Sequence, residues 1–173
     1  MFIVKLYQRH SPMELCHPIL AEGHKYRVDG RRRMRDPGQI ADFSYSVLGL
    51  TDAAEEYLYA FAFDTGNHLL GLFELCHGTV NLCFTTPREV MQKLFLLGAA
   101  YFVLVHNHPG GDPSPSSSDI SITKHLYIAG ELMSLPLMDH VVIGRGENVD
   151  CRYYSFAEGG MIVEWAERIE SDA

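Results

Sequence analysis

The spacing of apolar and polar residues changes character near residue 51. Before it the pattern is irregular. Residues 2–7 (FIVKLY) predict a short strand. Residues 24–28 and 31–34 predict a hairpin about Asp29-Gly30, because Asp-Gly tolerates positive φ at both central positions of a type I′ turn. Pro12, Pro18, Gly23 and the Asp36-Pro37-Gly38 run interrupt the rest. Residues 1–50 therefore read as an N-terminal extension of unassigned fold, and residues 51–173 as the domain.

From Thr51 the elements sharpen. Residues 56–63 (EYLYAFAF) predict an aromatic-rich strand, residues 64–67 a turn, and residues 68–76 the return strand. Thr86-Pro87-Arg88-Glu89 has the composition of a capping box with proline at the first helical position, and Gly98 marks the end of that helix. Residues 101–105 (YFVLV) are apolar without interruption, as in a central strand buried on both faces. A helix over 118–133, strands over 137–144 and 152–156, and a helix over 161–168 complete the pattern. Alternating strands and helices predict an α/β sandwich built on one sheet.

Composition changes this picture little. A chain of 173 residues, 47% apolar and 21% charged, suits one globular domain. No window holds about 18 consecutive apolar residues, so no membrane span is expected. The opening MFIVKLYQRH is charged too soon for a secretory leader, which predicts a cytoplasmic protein. Cys16, Cys76, Cys83 and Cys151 form no CxxC pair and read as a reduced, mostly buried set. The net charge of −8 argues against broad binding to nucleic-acid phosphates. Residues 1–50 nevertheless carry eight Lys/Arg against five Asp/Glu, with Arg31, Arg32, Arg33 and Arg35 at the peak. A solvated hairpin is the simpler account of that cluster, and a patch for nucleic acid or an acidic partner is the alternative. Oligomeric state is not legible.

The candidate chemistry lies between Tyr101 and Asp119. Side chains at i and i+2 of a strand share a face, so His106 and His108 can aim at one point beyond the C-terminal end of the buried strand. That end is the usual place for a site in an open α/β sheet. The loop PGGDPSPSSS then returns the chain to a helix start with Ser116 as N-cap and Asp119 in the first turn. Each feature alone is ordinary: histidine pairs occur by chance, Asp119 suits any helix N-terminus, and Ser116 is a cap. Together they supply two nitrogens and one oxygen, leaving a fourth tetrahedral position for water.

His106, His108, seven intervening residues, Ser116 and Asp119 resemble the JAMM (JAB/MPN+) metalloprotease motif without a gap. The longer run HNHPGGDPSPSSSD is similar to its bacterial RadC-like branch, as are CHGTVN, TPREV, MDHVVIG and YYSFAEGG, so the likeness covers about residues 56–160. The resemblance implies a cytidine-deaminase-like α/β/α sandwich with a mixed central sheet. It implies one zinc ion per chain on His106, His108 and Asp119. It also implies a glutamate on an earlier strand as general acid/base, a role that maps to Glu74 in LLGLFELCHGT. Read from the residues alone, Glu74 is a carboxylate in an apolar strand that needs a partner, and a salt-bridged strand-edge glutamate is an equal reading. Glu55 and Glu56, at a strand start, are less favoured. The implied reaction is hydrolysis of a peptide or isopeptide bond in a protein or peptide substrate, with the Ser116 hydroxyl and zinc stabilising the oxyanion.

Neighbouring residues are given structural roles. His140, beside Asp139, is expected to make a hydrogen bond rather than a metal bond. Asn107 should point away from the metal, Asp112 should form an Asx turn before Pro113, and His125 should be at the surface. Two other functional classes compete with the hydrolase. One is a non-catalytic metal-binding or scaffold domain. The other is a nucleic-acid-associated protein, since RadC-like proteins have carried a DNA-repair label. A nucleobase deaminase is excluded, because H-x-E and P-C-x-x-C are absent.

Overall fold

The computed structural model describes residues 2–10, 19–28, 33–34, 36–78, 85–145 and 152–171, the first two segments by backbone alone. The elements run β1 (Phe2–His10), β2 (Ile19–Val28), α1 (Pro37–Phe43), β3 (Glu56–Phe63), β4 (Leu69–Gly78), α2 (Pro87–Leu97), β5 (Tyr101–Asn107), α3 (Ser117–Leu132), β6 (Leu137–Ile143), β7 (Tyr153–Ser155) and α4 (Met161–Ser171). The strands form one mixed sheet in the order β2-β1-β4-β3-β5-β6-β7. β1/β4 and β5/β6 pair in parallel and the other neighbours are antiparallel.

Local chemistry sets the helix ends. The Asp36 carboxylate accepts from the Gln39 N–H at 2.9 Å, and Pro37 opens α1 where no N–H is needed. α1 continues into a π-helical turn, Ser44–Leu48, closed by Gly49 at φ 66°. Thr86 and Glu89 complete the expected capping box of α2, and Gly98, at φ 71°, closes it. Both positions need a left-handed backbone that glycine adopts without steric cost.

Strand alternation splits the core into two layers. Tyr59, Phe61 and Phe63 of β3 join Val103, Val105, Val141 and Ile143 against Ile40 and Phe43 of α1. Leu58, Ala60 and Ala62 join Phe102, Leu104 and Val142 against Leu94 of α2, Leu126 of α3 and Trp165 of α4. The result is the three-layer α/β/α arrangement about a mixed sheet. Among the described residues no helix is long and apolar enough to cross a membrane.

Two local expectations are corrected. β2 pairs with β1, and the expected turn at Asp29-Gly30 with residues 31–32 lies outside the described residues. Arg33 bridges His68 through its backbone, and its Nε donates to His68 Nε2 at 3.0 Å. Arg31, Arg32 and Arg35 lie outside the described residues. Cys76 is disulfide-bonded rather than reduced, and its partner lies outside the described residues.

Asp139 pins the turn after β7. Its Oδ1 accepts from the His140 and Ala157 N–H groups at 2.7 and 2.9 Å, and its Oδ2 from Ser155 Oγ at 2.6 Å. Burial pushes its pKa up, and those three hydrogen bonds only partly oppose the rise. The folded state then holds its proton to higher pH than the unfolded chain. The associated stability is fully present below the ordinary aspartate range and is lost as pH rises through the folded value. Asp139→Asn retains acceptors for the two N–H groups and should be relatively more stable at pH 7.5 than at pH 4. A wild-type-to-variant difference in urea midpoint that is the same at both pH values would refute this.

Candidate metal centre

The site is assembled by β5, the loop after it and the start of α3. His106 is the last inward residue of β5 on the α2/α3 face, paired across the sheet with Leu58 and Val142. His108 leaves the strand, and its N–H donates to the Ile143 carbonyl at 2.8 Å, which keeps the chain against β6. Ser116 then caps α3. Its Oγ accepts from the Asp119 N–H at 3.2 Å, and Asp119 Oδ2 accepts from the Ser116 N–H at 2.7 Å. This reciprocal box fixes the Asp119 carboxylate toward the histidines. His106 Nε2 lies 2.9 Å from His108 Nε2 and 3.4 Å from Asp119 Oδ1, and His108 Nε2 lies 3.4 Å from Asp119 Oδ2. One ligand atom from each of the three residues falls within 4.8 Å of the others.

Hydrogen-bond bookkeeping shows why a cation suits this point. His108 Nδ1 contacts the Asp112 carbonyl oxygen at 2.8 Å, so Nδ1 must donate and Nε2 is left as a lone pair. His106 Nδ1 contacts His140 Nε2 at 2.7 Å. Burial lowers the His106 and His140 pKa values, holding both rings neutral, although Asp119 pulls the other way on each. With the His108 ring neutral as well, the three atoms that converge are acceptors, and they repel one another unless a positive charge sits between them. Burial opposes ionisation of Asp119, but the adjacent His106 and His108 rings and Ser116 outweigh it and hold the carboxyl well below the usual range. Asp119 in turn raises the His108 pKa. Two imidazoles and one buried carboxylate within bonding reach fit a small divalent metal ion.

The other expected residues separate. Glu74 is not at the site. It pairs with Tyr59, whose side chain belongs to the α1 face, whereas His106 pairs with Leu58 on the opposite face. An extra residue on β4 between the Leu58/Cys76 and Tyr59/Glu74 pairs produces this inversion, so Cys76 faces the site and Glu74 faces away. Glu74 Oε1 instead bonds His77 Nδ1 at 2.7 Å. The carboxylate that reaches the site is Glu56, at the start of β3. It lines a cavity of about 60 Å³ together with Leu58, Cys76, His106, Asp119 and His140. Burial raises its pKa, and the charges felt there are those of His108 and Asp119. Ser118, rather than Ser116, lines the same cavity.

Sequence reasoning missed two supports. Asn107 points away from the histidines, as expected, but it clamps the backbone on both sides of Glu56. Its Oδ1 accepts from the Tyr57 N–H at 2.8 Å, and its Nδ2 donates to the Glu55 carbonyl at 3.0 Å. Asp112 makes its Asx turn with the Ser114 N–H at 2.9 Å, yet its backbone carbonyl also orients His108. No signal in the sequence identified either contact, because Asn107 reaches a distant segment and Asp112 acts through its main-chain carbonyl.

Gly144 lets the ligand loop dock. A Cβ there would strike the Gly111 carbonyl oxygen and come within 2.8 Å of Pro113 Cδ. Gly144→Ala is expected to cost about 1–3 kcal/mol through overpacking. It should also weaken metal binding by moving the Asp112 carbonyl off His108. An unchanged urea midpoint would contradict this close approach.

A profile of the RadC-like JAB domain matches residues 34–161. Proteins named UPF0758 are also similar. The chain is 38% identical to one from Pelobacter propionicus over 79% of its length and 58% of the relative's. It is 42% identical to one from Stenotrophomonas maltophilia over 87% and 60%, and 32% identical to one from Aquifex aeolicus over 92% and 63%. The chain therefore spans less than two thirds of the length of these relatives.

Proposed function

Because this chain belongs to the RadC-like JAB domain family, we propose that it is a zinc-dependent hydrolase of the JAMM type that cleaves a peptide or isopeptide bond. One zinc ion per chain would be held by His106, His108 and Asp119. The observation that carries this reading is the convergence of two imidazole nitrogens and a carboxylate at one point, with Glu56 lining the same cavity. When bound, zinc polarises a carbonyl oxygen and lowers the pKa of its water to about 7.

The chain's own residues would do the rest. Glu56 accepts the proton from the attacking water and returns it to the leaving amine. Its raised pKa suits a group that must hold a proton part of the time. Asn107 keeps that carboxylate in place by gripping the residues on either side of it. Ser116 orients Asp119 through its hydroxyl oxygen. The substrate class is a protein or peptide.

The reading is tested by mapping new protein termini in a cell extract incubated with zinc-loaded or chelator-stripped protein. Cleavage products confined to the zinc-loaded arm are expected. Identical products in both arms would sink the hydrolase reading and favour a binding or scaffold domain. A nuclease assay on the same samples decides the nucleic-acid alternative, which the net charge of −8 disfavours.

A further inference from the structure

Behind the ligand pair runs a buried chain of hydrogen bonds that the proposed chemistry does not use. His106 Nδ1 meets His140 Nε2 at 2.7 Å, and His140 Nδ1 meets Thr123 Oγ1 at 2.6 Å. Thr123 Oγ1 closes the chain on the backbone carbonyl of Asp119, one turn earlier in α3. His140 and Thr123 are fully buried, and His106 nearly so.

The direction of each bond follows from donor and acceptor inventory. A carbonyl only accepts, so the single Thr123 hydroxyl proton goes to Asp119. Thr123 Oγ1 must then accept from His140, which places the His140 proton on Nδ1. Nε2 of the neutral ring is therefore bare and accepts from His106 Nδ1–H. That leaves His106 Nε2 unprotonated and directed at His108 and Asp119. The chain starts at the backbone of one ligand and ends at the ring of another.

We propose that His140 and Thr123 are positioning residues that lock His106 in the Nδ1–H tautomer, with its Nε2 lone pair held for a divalent metal. Asp119 contributes twice: its carboxylate is a ligand, and its main-chain carbonyl sets the polarity of the relay that readies His106. The inference rests on the metal reading of His106, His108 and Asp119. It goes beyond that reading by assigning the source of the tautomer. Phe156, stacked on His140 at a centroid distance of 5.0 Å, holds the ring against rotation.

Two measurements on the full chain test it. In the metal-free, 15N-histidine-labelled wild type, long-range 15N–1H correlation spectra should place the His140 proton on Nδ1 and the His106 proton on Nδ1. A proton on His140 Nε2 overturns the proposal without any variant. Zinc affinity is then read by competition with a chromophoric chelator. Thr123→Val, nearly isosteric, and His140→Phe should each weaken zinc binding by about 10- to 100-fold. Thr123→Ser and His140→Gln, which keep the needed acceptor, should stay within a few-fold of wild type. Wild-type affinity in both Thr123→Val and His140→Phe overturns the relay while leaving the metal site standing. A wild type that binds no zinc overturns the metal reading and this inference together.

Discussion

Glu56→Gln is expected to keep its zinc and to lose hydrolysis by about 100- to 10,000-fold, the usual contribution of a positioned general acid/base. The change removes a proton acceptor while keeping size and hydrogen-bonding reach. Glu56 touches the cavity wall but is not among the three converging ligands, so metal content should not move. Glu74→Gln is the matched control. Its carboxylate is bonded to His77 and does not line the cavity, so turnover should be that of wild type. Elemental analysis and the cleavage products mapped above supply the two readouts. Zinc-replete Glu56→Gln with full turnover, or Glu74→Gln without any, would return the acid/base role to Glu74.

Asp119→Ala is expected to abolish zinc binding. Among the described residues the carboxylate is the only acidic member of the candidate set, and without it two imidazoles would face the ion. Stability separates this loss from simple unfolding. In wild type, zinc at 100 times its Kd should raise the unfolding free energy by about 2.7 kcal/mol, because the ion binds the folded state. Asp119→Ala should show no zinc-dependent rise. It should also be less stable without zinc by about 1 kcal/mol, since the Ser116 box loses one side. A zinc-dependent shift of equal size in both proteins would remove Asp119 from the ligand set.

Local signals carried most of the fold. The apolar run at 101–105 became the core of β5, and the capping boxes at Thr86 and Ser116 start α2 and α3 where their spacing placed them. Such features depend on residues within one turn or one strand, so the sequence alone contains them. The three residues that could hold a metal were legible for the same reason. His106 lies in β5 with His108 just past its end, and Ser116 and Asp119 share a helix start. Only the turn of the loop had to be supplied.

Which carboxylate lies beside the candidate metal site was not legible, and the cause is register. The family resemblance mapped the role to Glu74, which from the residues alone is a carboxylate in an apolar strand that needs a partner. That partner is His77, three residues away. Whether Glu74 or Cys76 faces the histidines depends on one extra residue on β4, which flips the strand's alternation after its pairing with Leu58. Glu56 was set aside for standing at a strand start. β3 runs antiparallel to β5, so the start of the one lies beside the end of the other, where the ligands are.

What the sequence by itself determined is therefore the element pattern and the three residues that could hold a metal, because each depends on contacts between near neighbours along the chain. The tertiary structure alone decided which carboxylate joins them, which side chain holds that carboxylate, and how His106 is kept ready. Those outcomes depend on Leu58 pairing with His106, on Asn107 reaching the Glu55 and Tyr57 backbone, and on Thr123 meeting His140. Strand registry and helix-to-sheet packing bring these groups together from distant parts of the chain, and no local spacing encodes them.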